Sequence, residues 1–90
     1  PQPVRAATGV TSLDASGRFV VPGYQDMHTH ALPRGLRQPS VWPLFVAHGI
    51  TGVREMVGGP ELIRAARGIN AQSAAGQVIA PEIVAIPGPL

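Results

Sequence analysis

Val20-Val21-Pro22-Gly23-Tyr24-Gln25-Asp26-Met27-His28-Thr29-His30, VVPGYQDMHTH, leads from an apolar run through a Pro-Gly pair to two histidines one residue apart. Tyr24 to His30 reads as a short strand, and successive side chains on a strand point to opposite faces. His28 and His30 would then share a face at roughly 6.5–7 Å along the chain. Imidazoles at that separation can tilt onto one ion with Zn–N distances of about 2.0–2.1 Å. Thr29 would point the other way, into the layer behind. Asp26 is a candidate to orient a liganding imidazole, since such rings usually donate their other N–H to an oxygen; it would equally serve as a buried acid that accepts from nearby backbone donors. An H-x-H pair taken alone also occurs as a structural or solvent-facing feature, so its spacing leaves both readings open.

Upstream, Gly9 to Leu13 and Phe19 to Val21 are β-prone runs separated by Asp14-Ala15-Ser16-Gly17-Arg18. Asp, Ser and Gly are turn formers, so the pattern predicts a hairpin. Downstream, Ala31 to Ser40 holds Pro33, Gly35 and Pro39 and reads as a loop. Ser40 is placed to cap a helix over Val41 to His48, with Pro43 in its first turn and Gly49 as its stop. Trp42 and Phe45 are read as its core contacts, and His48 as a C-terminal residue favoured by the helix dipole. Ile50 to Met56 is the next strand. Pro60 and Glu61 mark a second helix start, with Leu62, Ala65, Ala66 and Ile69 at three- and four-residue steps. Gly58 and Gly59 before it read as a turn and cap, although free N–H groups there can hold an anion. Gly68 weakens this helix, and Gly76 is its stop. Glu82 to Ile86 is a third strand. Strand, helix, strand, helix, strand in this order predicts a parallel α/β sheet.

Composition narrows the options. The chain has 90 residues, 13% of them charged, about half of the usual ~25%. Its net charge of +2 comes from scattered arginines without a lysine, and no basic run suggests nucleic acid. No apolar run approaches the ~20 residues of a membrane span. Without cysteine there is neither disulfide nor thiolate metal site. The chain begins at Pro1, so a signal peptide could precede it; location is left open, with the cytoplasm as default. Three parallel strands would leave two edges and one sheet face bare, which natural domains avoid. The chain is therefore expected to be part of something larger, or to be completed by other chains, including further copies of itself.

Asp14, Gly17, Val20, Pro22, Gly23, Asp26, His28 and His30 together resemble the opening segment of the metal-dependent amidohydrolase superfamily. There, a strand of a small β-sandwich runs through a Pro-Gly junction into the first strand of a barrel ending in H-x-H. His48 to Gly59, HGITGVREMVGG, resembles the second barrel strand of the imidazolonepropionase and prolidase-like branch. Gly76 to Leu90, GQVIAPEIVAIPGPL, resembles its approach to the third. Five positions depart from the pattern. Gln25 replaces an apolar residue, Gly52 a threonine, Glu55 an aspartate, Ala80 a glycine and Glu82 an arginine.

The resemblance implies an incomplete TIM-type (β/α)8 barrel: two βα units and a third strand over residues 23–90. Residues 1–22 would be the leader and hairpin of the small β-sandwich. It implies one or two divalent metals, most often zinc, that activate water to cleave a C–N bond in an amide, cyclic amide or peptide. His28 and His30 would be the first-strand ligands. The others in such enzymes come from the fourth, fifth, sixth and eighth strands, beyond the segment this chain matches. Two imidazoles give zinc half a shell, so the 90-residue chain alone is expected to bind poorly and to be inactive. The alternative is a non-catalytic structural piece or truncated product with vestigial histidines. Arg54 and Glu55 are candidate substrate contacts, but alternation along the strand lets at most one of them face the centre.

Overall fold

Ile50–Glu55, β2, is the middle of a three-stranded parallel sheet in a computed structural model that describes residues 7–32 and 41–88. On one side lies β1 (Tyr24–Thr29) and on the other β3 (Glu82–Ala85), with helices α1 (Val41–Ala47) and α2 (Pro60–Ala74) as the crossovers. The order β1-β2-β3 follows the chain. The α/β alternation expected from the sequence is therefore realised as a small parallel sheet with two helices.

The local code is readable at the element ends. α2 starts with Pro60 in its first turn, where a missing N–H costs little, and carries Glu61 beside it. Its far end is a Schellman motif: Gly76 has φ +70°, its N–H donates to the Ser73 carbonyl, and that of Gln77 donates to the Gln72 carbonyl. Gly68 sits inside the helix on its exposed side and does not end it. α1 stops at Gly49, φ +80°. The expected cap Ser40, and most of the Ala31–Ser40 loop, lie outside the described residues.

The core is small and sits where β2 meets the helices. Val53 is fully buried, with Leu32, Ala66, Ile69 and Ile83 around it, and Trp42, Phe45, Ile50 and Leu62 pack against them. Trp42 also donates its indole N–H to the Ala31 carbonyl at 3.1 Å, so a partly buried polar tip is satisfied. Asn70 of α2 makes a two-point contact with β3: its amide N–H donates to the Ile83 carbonyl at 3.1 Å, and its amide oxygen accepts the Ile83 N–H at 2.9 Å. In a parallel ladder, both backbone groups of one residue face the same side. Val53 pairs with Ile83, so with Asn70 holding both groups of Ile83, Asn70 occupies the edge that a fourth strand would use.

Two departures from the family-like pattern meet across β1 and β2. Gln25 and Gly52 are register partners. A Cβ on Gly52 would run into the Gln25 side-chain amide. The long polar side chain lies over the residue that has no side chain.

The expected hairpin is not formed. Residues 7–23 contain two turns and no strand, and all of them are exposed. The turn itself is correct: the Ser16 N–H donates to Asp14 Oδ1 at 2.9 Å, and the Arg18 N–H donates to the Ala15 carbonyl at 3.0 Å. What is missing is a layer for the flanking runs to pack on. Leu13, Phe19, Val20 and Val21 stand in solvent, and an isolated two-stranded hairpin is marginal in water.

Candidate metal-ligand pair

His28 and His30 lie at the C-terminal end of β1, the end at which ligands collect in parallel α/β sheets. Their ring centroids are 5.8 Å apart at an interplanar angle of 70°. A ring centre lies roughly 3.2 Å from an ion bound at ~2.0–2.1 Å, so a tetrahedral angle would bring two centres to about 5.2 Å. The observed separation needs a small tilt to reach it. Two exposed imidazoles side by side thus fit one divalent ion as half of its shell. Among the described residues, no group of three or more His, Cys, Asp or Glu side chains is gathered to hold an ion.

The backbone around the pair is irregular. Asp26 faces Val53 and Thr29 faces Glu55, so three steps along β1 match two along β2. This shift puts an extra residue into β1 between Asp26 and Thr29, the interval that holds His28, as bulges beside functional sites do. Asp26 fits it: its Oδ1 accepts the backbone N–H of His28 at 3.0 Å. This bond of the half-buried Asp26 goes to backbone and not to an imidazole. Thr29 does point inward as expected. It is buried, and its hydroxyl donates to the Arg54 carbonyl at 3.0 Å.

Glu55, at the end of β2, is the residue that the sequence undervalued. Its side chain is 1% exposed. Burying a carboxylate is costly unless donors surround it, and here the backbone supplies them. Oε2 accepts the Leu32 N–H at 2.7 Å, while Oε1 accepts those of Met56 at 3.1 Å and Val57 at 3.2 Å. Oε1 also lies 3.7 Å from Nδ1 of His30. Together with the bond from the Met56 N–H to the Thr29 carbonyl at 2.9 Å, these contacts tie β1 to β2 on both sides of His30. An acid closing an apolar strand was the available signal. Its partners are 23 residues away, beyond the reach of local pattern. Arg54, its neighbour, is half-buried.

His48 takes no part in this. Its Nδ1 bonds the Leu44 carbonyl at 2.9 Å at the end of α1, as a helix-terminal residue. It lines a shallow apolar groove with Val41, Leu44, Phe45 and Ile50. Gly59 is the N-cap residue of α2. A Cβ on Gly58 would collide with the Pro87 carbonyl oxygen, so glycine there permits the close pass of the chain beyond β3. Compared with protein-family models, with characterised proteins and with solved structures, the chain matches none. The superfamily resemblance therefore rests on its motif residues alone.

Proposed function

We propose that this chain is the N-terminal portion of a metal-dependent amidohydrolase, with β1 to β3 as the first strands of a (β/α)8 barrel. The observation that carries the reading is the pair of imidazoles brought side by side at the C-terminal end of the first parallel strand. In this reading His28 and His30 each give a ring-nitrogen lone pair to a divalent cation, with zinc best suited to imidazole. The bound metal supplies Lewis acidity and a water of near-neutral pKa for cleavage of a C–N bond in an amide, cyclic amide or peptide. The chain's own part is to hold the two rings on a bulged strand end, whose backbone Asp26 and Glu55 tie down. The remaining ligands belong to further barrel segments or to partner chains.

The test is metal analysis of the full product of the parent gene, with and without His28→Ala plus His30→Ala. The reading expects bound metal to be lost in the double variant; undiminished metal would rule the ligand assignment out. The 90-residue chain with added zinc is expected to hydrolyse no amide substrate.

A second reading is favoured by Asn70. By holding both backbone groups of Ile83 it occupies the edge where a fourth strand would pair. In that case the chain is a non-catalytic structural piece with vestigial histidines. Slow exchange of the Ile83 amide in the full gene product, unchanged by Asn70→Ala, would favour the barrel, because a fourth strand would then protect that amide.

A further inference from the structure

His30 is 63% exposed on its side chain, yet it stands against one of the most deeply buried side chains of the described chain. Glu55 cannot swing freely, because three backbone N–H groups from two directions hold its two oxygens. A carboxylate offers about four acceptor sites. Met56 and Val57 take two of them on Oε1 and Leu32 takes one on Oε2, so the one left for a side-chain donor is on Oε2. Nδ1 of His30 lies 3.7 Å from Oε1 of the same carboxylate. That is about half an ångström beyond the ~3.2 Å limit of a good hydrogen bond, a gap that a small rotation of an exposed ring closes.

We infer that Glu55 is a positioning residue for His30: its buried carboxylate receives the Nδ1–H of that imidazole and so leaves Nε2 as the nitrogen with a free lone pair. This extends the metal reading proposed above, but its first half, the choice of tautomer, holds for the chain without metal. The backbone also asks for an acid at this place. Leu32 bonds Oε2 while Met56 and Val57 bond Oε1, so a neutral amide would turn its NH2 against the donors on one side. Only a carboxylate offers an acceptor on each of its oxygens and a fixed negative charge facing the ring. Metal-bound histidines are commonly oriented through the other ring nitrogen in this way.

The experiment reads the imidazole nitrogens directly. In the 15N-labelled 90-residue chain at about pH 8.5, well above the usual imidazole pKa of ~6.5, ring 15N shifts report which nitrogen carries the proton. His30 is expected to hold it on Nδ1 in the wild-type chain. His48, whose Nδ1 bonds the Leu44 carbonyl, serves as an internal standard for the same tautomer. In Glu55→Gln the Nδ1 preference of His30 should fall while that of His48 stays, with the Val53 and Ile83 amide signals reporting that the sheet persists. A wild-type His30 protonated mainly on Nε2 overturns the inference without any variant, and so does an unchanged tautomer in a folded Glu55→Gln.

Zn²⁺ titration then separates this inference from the reading beneath it. If wild type binds through His28 and His30, Glu55→Gln should weaken binding by on the order of 10-fold or more. Unchanged affinity would overturn the positioning role and leave the metal pair standing. A Glu55-dependent tautomer in a chain that binds no Zn²⁺ would keep the positioning role and remove the metal pair.

Discussion

Phe19 and Glu55 invert the usual order of burial: the aromatic ring is 97% exposed and the carboxylate 1%. The segment around Phe19, residues 7–23, is rich in apolar side chains that touch no layer. The strand around Glu55 has a parallel neighbour on each side and a small core beneath Val53. Apolar character in the first region does not make a strand, because a strand needs a partner for its backbone and a surface for its side chains. Charge in the second does not prevent burial, because three backbone donors converge on the acid. Environment, set by distant parts of the chain, decides both.

The contrast can be broken from either side, and the largest effect is expected at Glu55. Glu55→Ala would take the acceptor from the buried Leu32 N–H and the partly buried Val57 N–H, while Met56 keeps the Thr29 carbonyl, and would open a void, at a cost of about 3 kcal/mol in urea unfolding. A loss below about 1 kcal/mol would mean that the lacing of β1 to β2 is not what holds this end together. Next comes Gly58→Ala, whose new methyl meets a carbonyl oxygen of the backbone at Pro87. Backbone cannot turn aside as a flexible side chain can, so about 2 kcal/mol is expected from the same measurement.

Asn70→Ala should cost about 1–2 kcal/mol, since it frees the N–H and C=O of Ile83 at the sheet edge. Faster hydrogen exchange at the Ile83 amide would accompany it. In the exposed segment, Leu13→Ser and Phe19→Ser are expected to change stability by less than about 0.5 kcal/mol. A larger loss there would show that these side chains are packed against something, and the comparison would fail. The smallest effect lies at Asp14. A hydrogen bond with the Ser16 side chain, and then one with its backbone, hold the Asp14 carboxyl below its ordinary pKa. With the folded value depressed, the turn's contribution is present above the unfolded pKa of about 3.9 and is lost as pH falls through the lower folded value. The Ser16 amide shift followed against pH should therefore turn over below about 3.9.

What the sequence made legible follows the range of the interactions involved. Pro60, Gly49 and Gly76 act on their own backbone, so the helix start and both stops could be read directly. The parallel order could be read too, because alternating strands and helices leave few other ways to bury their faces. Thr29 was placed correctly by simple alternation. The bulge between Asp26 and Thr29 was not, since a register shift depends on the pairing strand. Glu55 reads from sequence as no more than a candidate substrate contact, since its donors come partly from Leu32, and Asn70 carries no local signal because it acts on β3 across 13 residues. The hairpin failed for the same reason turned around: its turn is local, but the layer its strands need is not supplied by the described residues.

The claim at the centre of this account is that His28 and His30 form a pair able to take one divalent cation. The most direct test is a Zn²⁺ titration of the 15N-labelled chain, with all three histidine rings followed at once. The account predicts that the ring signals of His28 and His30 shift together along one saturating curve while His48 stays in place. Independent curves for His28 and His30, no movement of either, or an equal response from His48 would contradict it.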